Sequence, residues 1–472
     1  MRTIIIGAGP AGLTAAYQLS KETPEVAVFE AGDCVGGLAR SIRLWDQTVD
    51  LGPHRFFSRD RRTNELWLEV AGRDYAMVNR QTRIFYRGEL FQYPLEAFDA
   101  LAKLGFVEAL KCLGSYSREW VRSTPQKASF EDWVCHRFGR RLFELFFKTY
   151  SEKLWGIPCH ELDADFAAQR IKKLSLSEAV KSALFPETRK KHRTLVDEFA
   201  YPLGGTGSIY ERMAEAIRRR GGEVCLKAPV KRVLTEAGIV SGVELVSGKR
   251  LACDQVISTM PLTLLVMQLP GAPQEVVSAC RRLEFRNTIL VFLEVLNENP
   301  FPDNWIYVHS PELRFGRVTN FRNWVPELHG ANPNAILAME YWCDANDGFW
   351  KKDEQGIIAL AREEIIKAGL VSRANKLGRS FIFRIPRCYP VYRRGYQEHV
   401  GVIKEHLQTI SGLQVIGRYG SFKYNNQDHS ILMGQLAAEN ILWQENHDLW
   451  RVNTEDAYQE SSAITATGLT VE

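Results

Sequence analysis

The sequence of 472 residues lacks the features that mark several large classes of protein. No apolar run reaches the roughly 18 residues that a membrane-spanning helix needs, so we expect no transmembrane segment. The net charge of +4 is small for this length, and no concentrated basic face of the kind that binds nucleic acid is evident. The sequence therefore predicts neither an integral membrane protein nor a nucleic-acid-binding protein.

The nine cysteines are also poorly placed for metal or disulfide chemistry. No two of them stand at Cys-X-X-Cys spacing, so we predict neither a zinc site nor a disulfide framework. Free thiols that are mostly buried fit a reducing compartment. The chain also runs from Met1-Arg2 directly into an apolar segment, without a secretory signal peptide. We therefore expect a cytoplasmic protein that holds no metal.

The N-terminal segment carries the strongest local signal. Residues 3–7 are predicted to form a buried parallel strand, and residues 25–30 a second one. A helix lies between them, and the turn before it reads Gly7-Ala8-Gly9-Pro10-Ala11-Gly12. The first glycine allows the tight turn, the second lets the backbone approach a pyrophosphate, and the third lets the helix pack closely on the strand. The free N–H groups at the helix N-terminus can then bind the phosphates of a dinucleotide.

Two features after this turn favour FAD as the dinucleotide. Glu30 ends the second strand, where its carboxylate can accept hydrogen bonds from a ribose, and Ala31 follows it. The segment Gly36-Gly37-Leu38-Ala39-Arg40 comes next; its glycines let the backbone lie against the cofactor, and Arg40 can contact the diphosphate. The alternative for this segment is a surface turn with a solvated arginine. No covalent attachment signal is evident, so we predict non-covalent FAD.

These motifs together resemble the FAD-dependent amine oxidase superfamily, which includes protoporphyrinogen oxidases, phytoene desaturases and UDP-galactopyranose mutases. The resemblance implies that the backbone at Val230 lies at the adenine. It also implies that Gly417 and Arg418 lie on the pyrophosphate and flavin side. The fold class that follows is α/β, with a discontinuous Rossmann-like FAD-binding domain, a helical insertion and a mainly antiparallel β-sheet substrate domain.

We predict domain boundaries from the periodicity of the apolar residues. The cofactor domain is expected over 1–60, 201–275 and 405–450. A helical insertion lining the substrate cleft is expected over 61–200, and a β-rich substrate domain over 276–404. Residues 451–472 are polar and lack a periodic apolar face, so we expect a loose tail there.

Three segments are more similar to the mutase branch than to the oxidases. They are Gly52-Pro53-His54-Arg55-Phe56-Phe57, Gly204-Gly205-Thr206-Gly207, and the stretch 417–430, GRYGSFKYNNQDHS. The resemblance places the first segment against the flavin, and His54 is the nearest candidate for a catalytic acid or base; a buried core histidine is the alternative. It also assigns Gln427, Asp428 and Ser430 to the cofactor site.

The same resemblance implies a set of substrate-binding residues. The mutases hold a nucleotide-sugar diphosphate with arginines and tyrosines, and the matching side chains here are Arg317, Tyr307, Tyr389, Tyr424 and Trp155. A guanidinium group and tyrosine hydroxyls are suitable donors to phosphate oxygens. The alternatives are core or interface aromatic residues for Tyr389 and Tyr424 and a salt-bridged surface residue for Arg317. The oligomeric state stays open.

Other positions depart from the mutase pattern. Ala200 stands where the second diphosphate-binding arginine is expected, Glu96 where a uracil-contacting glutamine is expected, and Ser151 in place of an asparagine. Each lost charge-assisted contact removes about 1.5–3 kcal/mol of binding. We therefore expect an FAD-dependent oxidoreductase acting on an anionic small molecule, such as a phosphate-bearing sugar, by hydride transfer to flavin N5.

Alternatives to this function remain open at the level of sequence. The first is a pyranose/furanose mutase that works with reduced flavin, similar to UDP-galactopyranose mutase, and the second is a non-catalytic flavoprotein. The stretch 170–193 is strongly basic. A solvated face is the simplest interpretation, but a flap over an anionic substrate or a peripheral contact with acidic lipid also fits.

Overall fold

The computed structural model describes residues 1–93, 95, 103–120, 129–165, 198–373, 376–453 and 462–471. The chain divides into two compact units, each built from separate stretches of sequence. The first unit contains Met1–Met77, Phe199–Glu284 and Tyr396–Glu472. The second contains Val78–Glu198 and Phe285–Gly395. It therefore includes most of the predicted helical insertion, 61–200, and most of the predicted β-rich domain, 276–404.

Strands occur in both units and are numbered here in chain order. Their bounds are β1 Thr3–Ile6, β2 Val26–Phe29, β3 Ser41–Leu44, β4 Gln47–Asp50, β5 Tyr75–Asn79, β6 Thr82–Tyr86, β7 Glu89–Gln92, β8 Glu198–Pro202, β9 Glu223–Cys225, β10 Val230–Glu236, β11 Ile239–Leu245, β12 Arg250–Ala252, β13 Gln255–Ser258, β14 Phe285–Val295, β15 Trp305–Val308, β16 Arg317–Asn320, β17 Ala335–Cys343, β18 Leu377–Pro390, β19 Leu413–Val415, β20 Ser462–Thr465 and β21 Gly468–Val471.

The helices are numbered in the same way. Their bounds are α1 Pro10–Leu19, α2 Arg61–Ala71, α3 Phe106–Trp120, α4 Phe130–Phe138, α5 Arg140–Leu142, α6 Thr149–Trp155, α7 Gly207–Arg219, α8 Leu262–Met267, α9 Gln274–Arg282, α10 Gly348–Lys351, α11 Glu354–Lys367, α12 Tyr396–Gln408, α13 Gly417–Gly420 and α14 Gln427–Leu442. A π-helical segment covers Phe143–Lys148, and short 3-10 turns cover Gly37–Ala39, Phe321–Asn323, Pro326–Leu328 and Leu449–Arg451.

A parallel sheet forms the centre of the first unit. Among the described residues its strand order is β19-β13-β1-β2-β9, and every neighbouring pair is parallel. All four residues of β1 are buried, because helices cover a parallel sheet on both faces. Helix α1 packs against α14 and α7, and apolar residues of these helices form one core with β1 and β2. The predicted α/β fold with a Rossmann-like half is confirmed.

The second unit is built on a mainly antiparallel sheet, as the sequence predicted. Its order within the described residues is β18-β14-β17-β16-β15-β6-β7, and only the β15–β6 pair is parallel. Strand β17 is buried at all nine positions, because α11 packs on the same core. No described helix is both long and apolar enough to cross a membrane.

The C-terminal residues correct one expectation. Residues 462–471, which we expected to be part of a loose tail, form the antiparallel hairpin β20–β21. The Tyr75 hydroxyl donates to the Thr465 carbonyl oxygen at 2.7 Å, and Ile464 packs against the core of the first unit. The hairpin is short and mixes apolar residues with threonines, so it gave no extended periodic signal in the sequence.

Candidate functional site

The glycine turn before α1 has the shape of a phosphate cradle. Gly9 caps the helix, and a Cβ atom built there would have the Gly37 Cα as its nearest neighbour, at 3.9 Å, so the space in front of Gly9 is open. A Cβ on Gly12 would instead lie 2.0 Å from the Gly7 carbonyl oxygen, so Gly12 serves close packing of helix on strand. Pro10 and Ala11 begin the first turn; Pro10 has no N–H, but the backbone N–H groups that follow it in this turn are able to bind an anion.

A second glycine loop lies against the first. The Gly36 N–H donates to the Ala8 carbonyl oxygen at 2.8 Å, and Gly37 has a φ of +54°. A Cβ on Gly37 would come within 3.1 Å of the Gly9 Cα, so a larger residue there would displace the cradle. After Leu38, the Arg40 Nη1 lies 2.9 Å from the Cys34 sulfur, a contact that holds the guanidinium beside this loop.

Glu30 also has a structural role, which the sequence did not predict: its side chain accepts hydrogen bonds from the backbone of the glycine loops. One carboxylate oxygen accepts from the Ala8 N–H at 2.8 Å, and the other accepts from the Gly32 N–H at 2.7 Å. A carboxylate has about four acceptor positions, so two remain for ribose hydroxyls. The carbonyl oxygens of Glu30 and Gly32 accept from the N–H groups of Ala228 and Lys227, which brings the chain just before Val230 to the same place.

We expect Glu30→Ala to weaken FAD binding by about 1–3 kcal/mol, the scale of a hydrogen bond to a charged group. The variant also frees the Ala8 and Gly32 N–H groups, so the cradle itself loosens. Titration of the apoprotein with FAD, followed by flavin fluorescence, measures the loss. Glu30→Gln keeps one acceptor oxygen and should lose less; an alanine variant that binds FAD as tightly as the wild type would contradict the role.

The C-terminal motif lies beside α1. Gly417 has a φ of +82°, and a Cβ there would be 3.2 Å from the Ala11 Cβ. Arg418 donates to the Asn425 carbonyl oxygen at 3.1 Å, and its guanidinium lies 4.4 Å from the centre of the Tyr424 ring. Asp428 and Ser430 are buried in the first turn of α14. Tyr424 thus belongs to the first unit, whereas Arg317 and Tyr389 belong to the second.

The Gly52-Pro53-His54 segment is held by its backbone. The His54 carbonyl oxygen accepts from the Thr206 hydroxyl at 2.7 Å and from the Gln427 amide at 3.0 Å. The Gln427 amide oxygen in turn accepts from the Tyr210 hydroxyl at 2.6 Å. Two motifs that are far apart in sequence, Gly204–Gly207 and 417–430, therefore fix the segment that contains His54.

Asp50 anchors the same network and was missed by the sequence analysis. It is fully buried, and its carboxylate accepts from the Ser41 hydroxyl at 2.6 Å and the Tyr201 hydroxyl at 2.7 Å. The Thr206 N–H also donates to it, at 3.3 Å. Burial raises the pKa of Asp50 to about 6, although these hydrogen bonds oppose the change. Asp50 ends the short strand Gln47-Thr48-Val49-Asp50, which is mostly polar, so no apolar pattern in the sequence marked it as buried.

The raised pKa of Asp50 predicts a pH dependence of stability. The folded protein binds the proton more tightly than the unfolded chain, so this group favours folding below pH 3.8, and the contribution is lost as the pH rises through about 6. Relative to Asp50→Asn, the wild type should lose on the order of 3 kcal/mol of unfolding free energy across this interval. Urea unfolding of both proteins at a series of pH values measures the difference.

Tyr201→Phe supplies the control for Asp50. It removes one donor to the carboxylate, a donor that lowers the pKa of Asp50, so the loss of stability should move to higher pH. Parallel pH profiles for the wild type and Asp50→Asn would show that Asp50 is not the titrating group.

Arg317, in the second unit, forms a salt bridge with Glu340. Its Nε and Nη2 donate to the two carboxylate oxygens of Glu340 at 2.6 and 2.7 Å; Glu340 is buried, and the Arg317 side chain is 14% exposed. Burial alone would lower the pKa of Arg317, but Glu340 raises it well above its ordinary value, so the guanidinium stays charged. Two of its five donors are used, which leaves three for a ligand. The pair is neutral overall: Arg317 is salt-bridged, as the alternative interpretation of the sequence allowed, but it is mostly buried and does not lie at the surface.

Aromatic side chains surround this pair, and they include several of the predicted substrate residues. Tyr150 meets Tyr307 and Trp342 edge to face, with ring centres 5.7 and 5.6 Å apart. Tyr389 meets Trp342 and Trp155 in the same way, at 6.4 and 6.3 Å. The hydroxyl groups of Tyr389 and Tyr150 both influence the pKa of Arg317. Four of the five predicted substrate residues therefore lie in one cluster, together with Tyr150 and Trp342, which the sequence analysis missed.

Beside the cluster lie a neutral imidazole, His309, and an ammonium group, Lys153, that stays mostly charged at pH 7. His309 stacks on Tyr150 at 4.6 Å, and burial together with Lys153 lowers the pKa of His309 to about 3, so the imidazole is neutral at pH 7. The Lys153 ammonium donates to the Ser310 carbonyl oxygen at 2.6 Å, and burial lowers its pKa to about 8. Arg286 holds the helix that carries Tyr150 and Trp155, because its guanidinium donates to the carbonyl oxygens of Leu154 and Lys153.

Two of the three positions that depart from the mutase pattern lie in the described part of the chain, and both hold small, uncharged side chains. Ala200 is buried in the first unit, in a bridge to Phe56, and Ser151 is buried within α6. Neither offers a charged group to a diphosphate. Glu96 and the basic stretch 170–193 lie outside the described residues. Among the described residues no group of His, Cys, Asp or Glu could hold a metal ion.

Comparison with known proteins decides the family. The family model described as flavin containing amine oxidoreductase matches residues 10–368, which is more than half of the chain. The chain belongs to this family. The flavin-containing amine oxidoreductase family is the superfamily that the N-terminal motifs resemble, so that prediction is confirmed, and FAD is the cofactor that the cradle, Glu30 and the second glycine loop fit.

Relatives within the family have different activities. The chain is 28% identical over 169 residues to a probable UDP-galactopyranose mutase of Klebsiella pneumoniae; this covers 34% of the chain and 42% of the relative. It is 25% identical over 292 residues to an all-trans-zeta-carotene desaturase of Myxococcus xanthus, which covers 56% of the chain and 54% of the relative. The chain thus spans about half the length of these curated relatives.

A solved structure extends the likeness to the whole fold. The crystal structure of reduced UDP-galactopyranose mutase superposes with a TM-score of 0.81 at 22% identity, and the match covers 96% of this chain and 99% of that one. At this identity the likeness shows the fold alone. The chain is a member of a family of FAD-dependent oxidoreductases, with a fold similar to that of the mutase.

Proposed function

We propose that the protein is an FAD-dependent oxidoreductase that oxidises a phosphate-bearing, sugar-like small molecule. The observation that supports this best is the group of aromatic side chains around the Arg317–Glu340 pair in the second unit. A ligand site is typically lined by aromatic faces with a few polar groups that fix orientation. We propose further that the protein is cytoplasmic, which its nine free cysteines support.

In this proposal the cluster binds and orients the substrate. The faces of Tyr307 and Tyr389 offer apolar surface to a sugar ring, and their hydroxyl groups can donate to phosphate or sugar oxygens. The three remaining donors of Arg317 can bind a phosphate, while Glu340 compensates the charge of the guanidinium. The resemblance to the mutases expects a second diphosphate-binding arginine where this chain has Ala200, so the proposal favours one phosphate group over a nucleoside diphosphate.

FAD, when bound, supplies a hydride acceptor at N5. The chain must then hold the substrate carbon still, exclude water, and accept the proton that leaves the oxidised hydroxyl group. His54 is the candidate acceptor of that proton, because its backbone is fixed by Thr206 and Gln427. The proposed role of His54 rests on this placement and on the resemblance of its segment to the mutase branch.

A pyranose/furanose mutase is the second candidate. It is supported by the likeness of fold to reduced UDP-galactopyranose mutase and by the similarity of the 417–430 stretch to that branch. The pairing of Arg317 with Glu340 and the absence of a cation at Ala200 weigh against it. A mutase would need to bind UDP tightly, whereas we expect UDP to bind poorly.

Anaerobic flavin spectroscopy tests the two functions together. The oxidised holoprotein is mixed with sugar phosphates, with the same sugars lacking phosphate, and with simple amines. Bleaching of the flavin absorption by a sugar phosphate but not by its dephosphorylated form supports the proposal, whereas bleaching by amines alone contradicts the substrate class. The dithionite-reduced protein is then incubated with UDP-galactopyranose. A furanose product that forms only when the flavin is reduced would replace the proposal by the mutase.

A further inference from the structure

Helix α3 presents an apolar surface to solvent. Among the described residues eleven large hydrophobic side chains are exposed, and four of them lie within eight consecutive positions of this helix. They are Phe106, Val107, Leu110 and Leu113, which are exposed to 78%, 66%, 53% and 38%. The others are dispersed along the chain, as single exposed apolar residues commonly are. A contiguous apolar patch of this kind marks an interaction surface.

The arrangement of charge around α3 indicates the kind of partner. At about 100° per residue, the four apolar side chains occupy an arc of roughly 120° on the helix. Lys111 and Arg118 fall along one edge of that arc, and both are exposed. The acidic residues of the helix, Glu108 and Glu119, fall on the opposite side. An apolar face bordered by cations is the pattern of a helix that lies in the surface of a membrane.

The two acidic groups do not cancel the cationic edge. Glu108 is paired with Arg141, and Glu119 is buried with Arg140 3.6 Å away. Lys111 is also 3.4 Å from Glu108, but its side chain is 59% exposed and can turn to another anion. The exposed part of the helix therefore offers apolar surface and positive charge.

We propose that α3 docks the second unit on the surface of an anionic lipid bilayer. The apolar residues would enter the boundary between headgroups and acyl chains, and Lys111 and Arg118 would contact lipid phosphates. A second copy of the chain fits this surface less well. In a two-fold contact that sets the two helices antiparallel, the same edges lie side by side, which brings Lys111 and Arg118 close to the same cations of the other copy. An anionic bilayer can contact the apolar face through its acyl chains and the cationic edge through its phosphates.

Vesicle co-sedimentation of the holoprotein tests this surface. We expect binding to vesicles of phosphatidylcholine and phosphatidylglycerol in equal parts, weaker binding in high salt, and little binding to phosphatidylcholine alone. The double variant Phe106→Ser, Leu110→Ser should reduce partitioning at least about tenfold. The matched control is Ile239→Ser, Val246→Ser, which changes two side chains of the first unit with similar exposure, 55% and 62%. It should bind as the wild type does.

A charge variant makes the test independent of the apolar substitutions. Lys111→Gln, Arg118→Gln changes only exposed polar side chains, so it should fold, and its flavin content verifies this. Removing two positive charges that lie near an anionic surface should weaken the binding of the protein to the vesicles about tenfold or more. Unchanged binding of this variant, an equal loss in the control variant, or no binding of the wild type would each overturn the proposal. So would a dimer, seen by light scattering, that the apolar variant dissociates.

Discussion

Replacing Gly9 with valine should abolish FAD binding and leave the protein folded. Gly9 has a φ of −82°, which any residue can adopt, so the backbone tolerates a side chain. A Cβ atom there enters the open space between the two glycine loops, with its nearest neighbour 3.9 Å away. The valine methyl groups would fill the space that the pyrophosphate needs. The flavin-to-protein ratio after reconstitution with FAD measures the loss, and circular dichroism reports the fold.

Gly401→Val is the matched control for this experiment. Gly401 lies in α12 of the first unit, and a Cβ atom there meets nothing within 4 Å. The same change in side chain should therefore leave the flavin content unchanged. Full flavin occupancy in a folded Gly9→Val protein would show that the pyrophosphate lies elsewhere, and would overturn the placement of the cofactor.

Arg317→Ala should destabilise the second unit by about 3–5 kcal/mol, the typical cost of removing one partner of a buried ion pair. Glu340 is 2% exposed and would keep a charge with no compensating guanidinium. The free energy of unfolding in urea measures the effect. The variant by itself is therefore a poor probe of substrate binding, because lost stability and lost phosphate contact act together.

A double variant separates the two effects. Arg317→Met with Glu340→Leu removes both charges and fills the space with apolar groups, so most of the stability should return. Weak binding of a sugar phosphate by this variant would then report the lost phosphate contact. Arg219→Ala supplies the control, since its pair with Glu215 is exposed and should change stability by under about 1 kcal/mol. An Arg317→Ala protein as stable as the wild type would contradict the strength of the buried pair.

The cofactor half of the protein could be predicted because its motifs are local. The turn from Gly7 to Gly12, the strands on either side of it and Glu30 lie within 30 residues. Steric demands on glycine and the spacing of apolar residues are properties of the nearby chain, so they can be recognised without the fold. The structure shows the close packing of helix on strand that the spacing predicted at Gly12, and it shows open space at Gly9.

The polar networks were not predictable in the same way. Glu340 is a single acidic residue in the apolar strand β17. This pattern indicates that Glu340 has a buried partner, but it does not indicate which residue the partner is. Its partner Arg317 lies on the neighbouring strand β16, and only the register of the two strands brings them opposite each other. Asp50 likewise meets Tyr201 and Thr206 across more than 150 residues of sequence.

The sequence by itself determined the class of fold, the family and the FAD cradle, because these depend on short stretches whose steric and apolar patterns have few alternatives. Only the tertiary structure decided which charges are compensated and which apolar residues remain exposed. The pairing of β16 with β17 decided that Arg317 shares its charge with Glu340, and the packing of α3 decided that four of its apolar residues stay exposed. Burial and pairing are set by residues distant in sequence, and the free energy of a charged group depends on both.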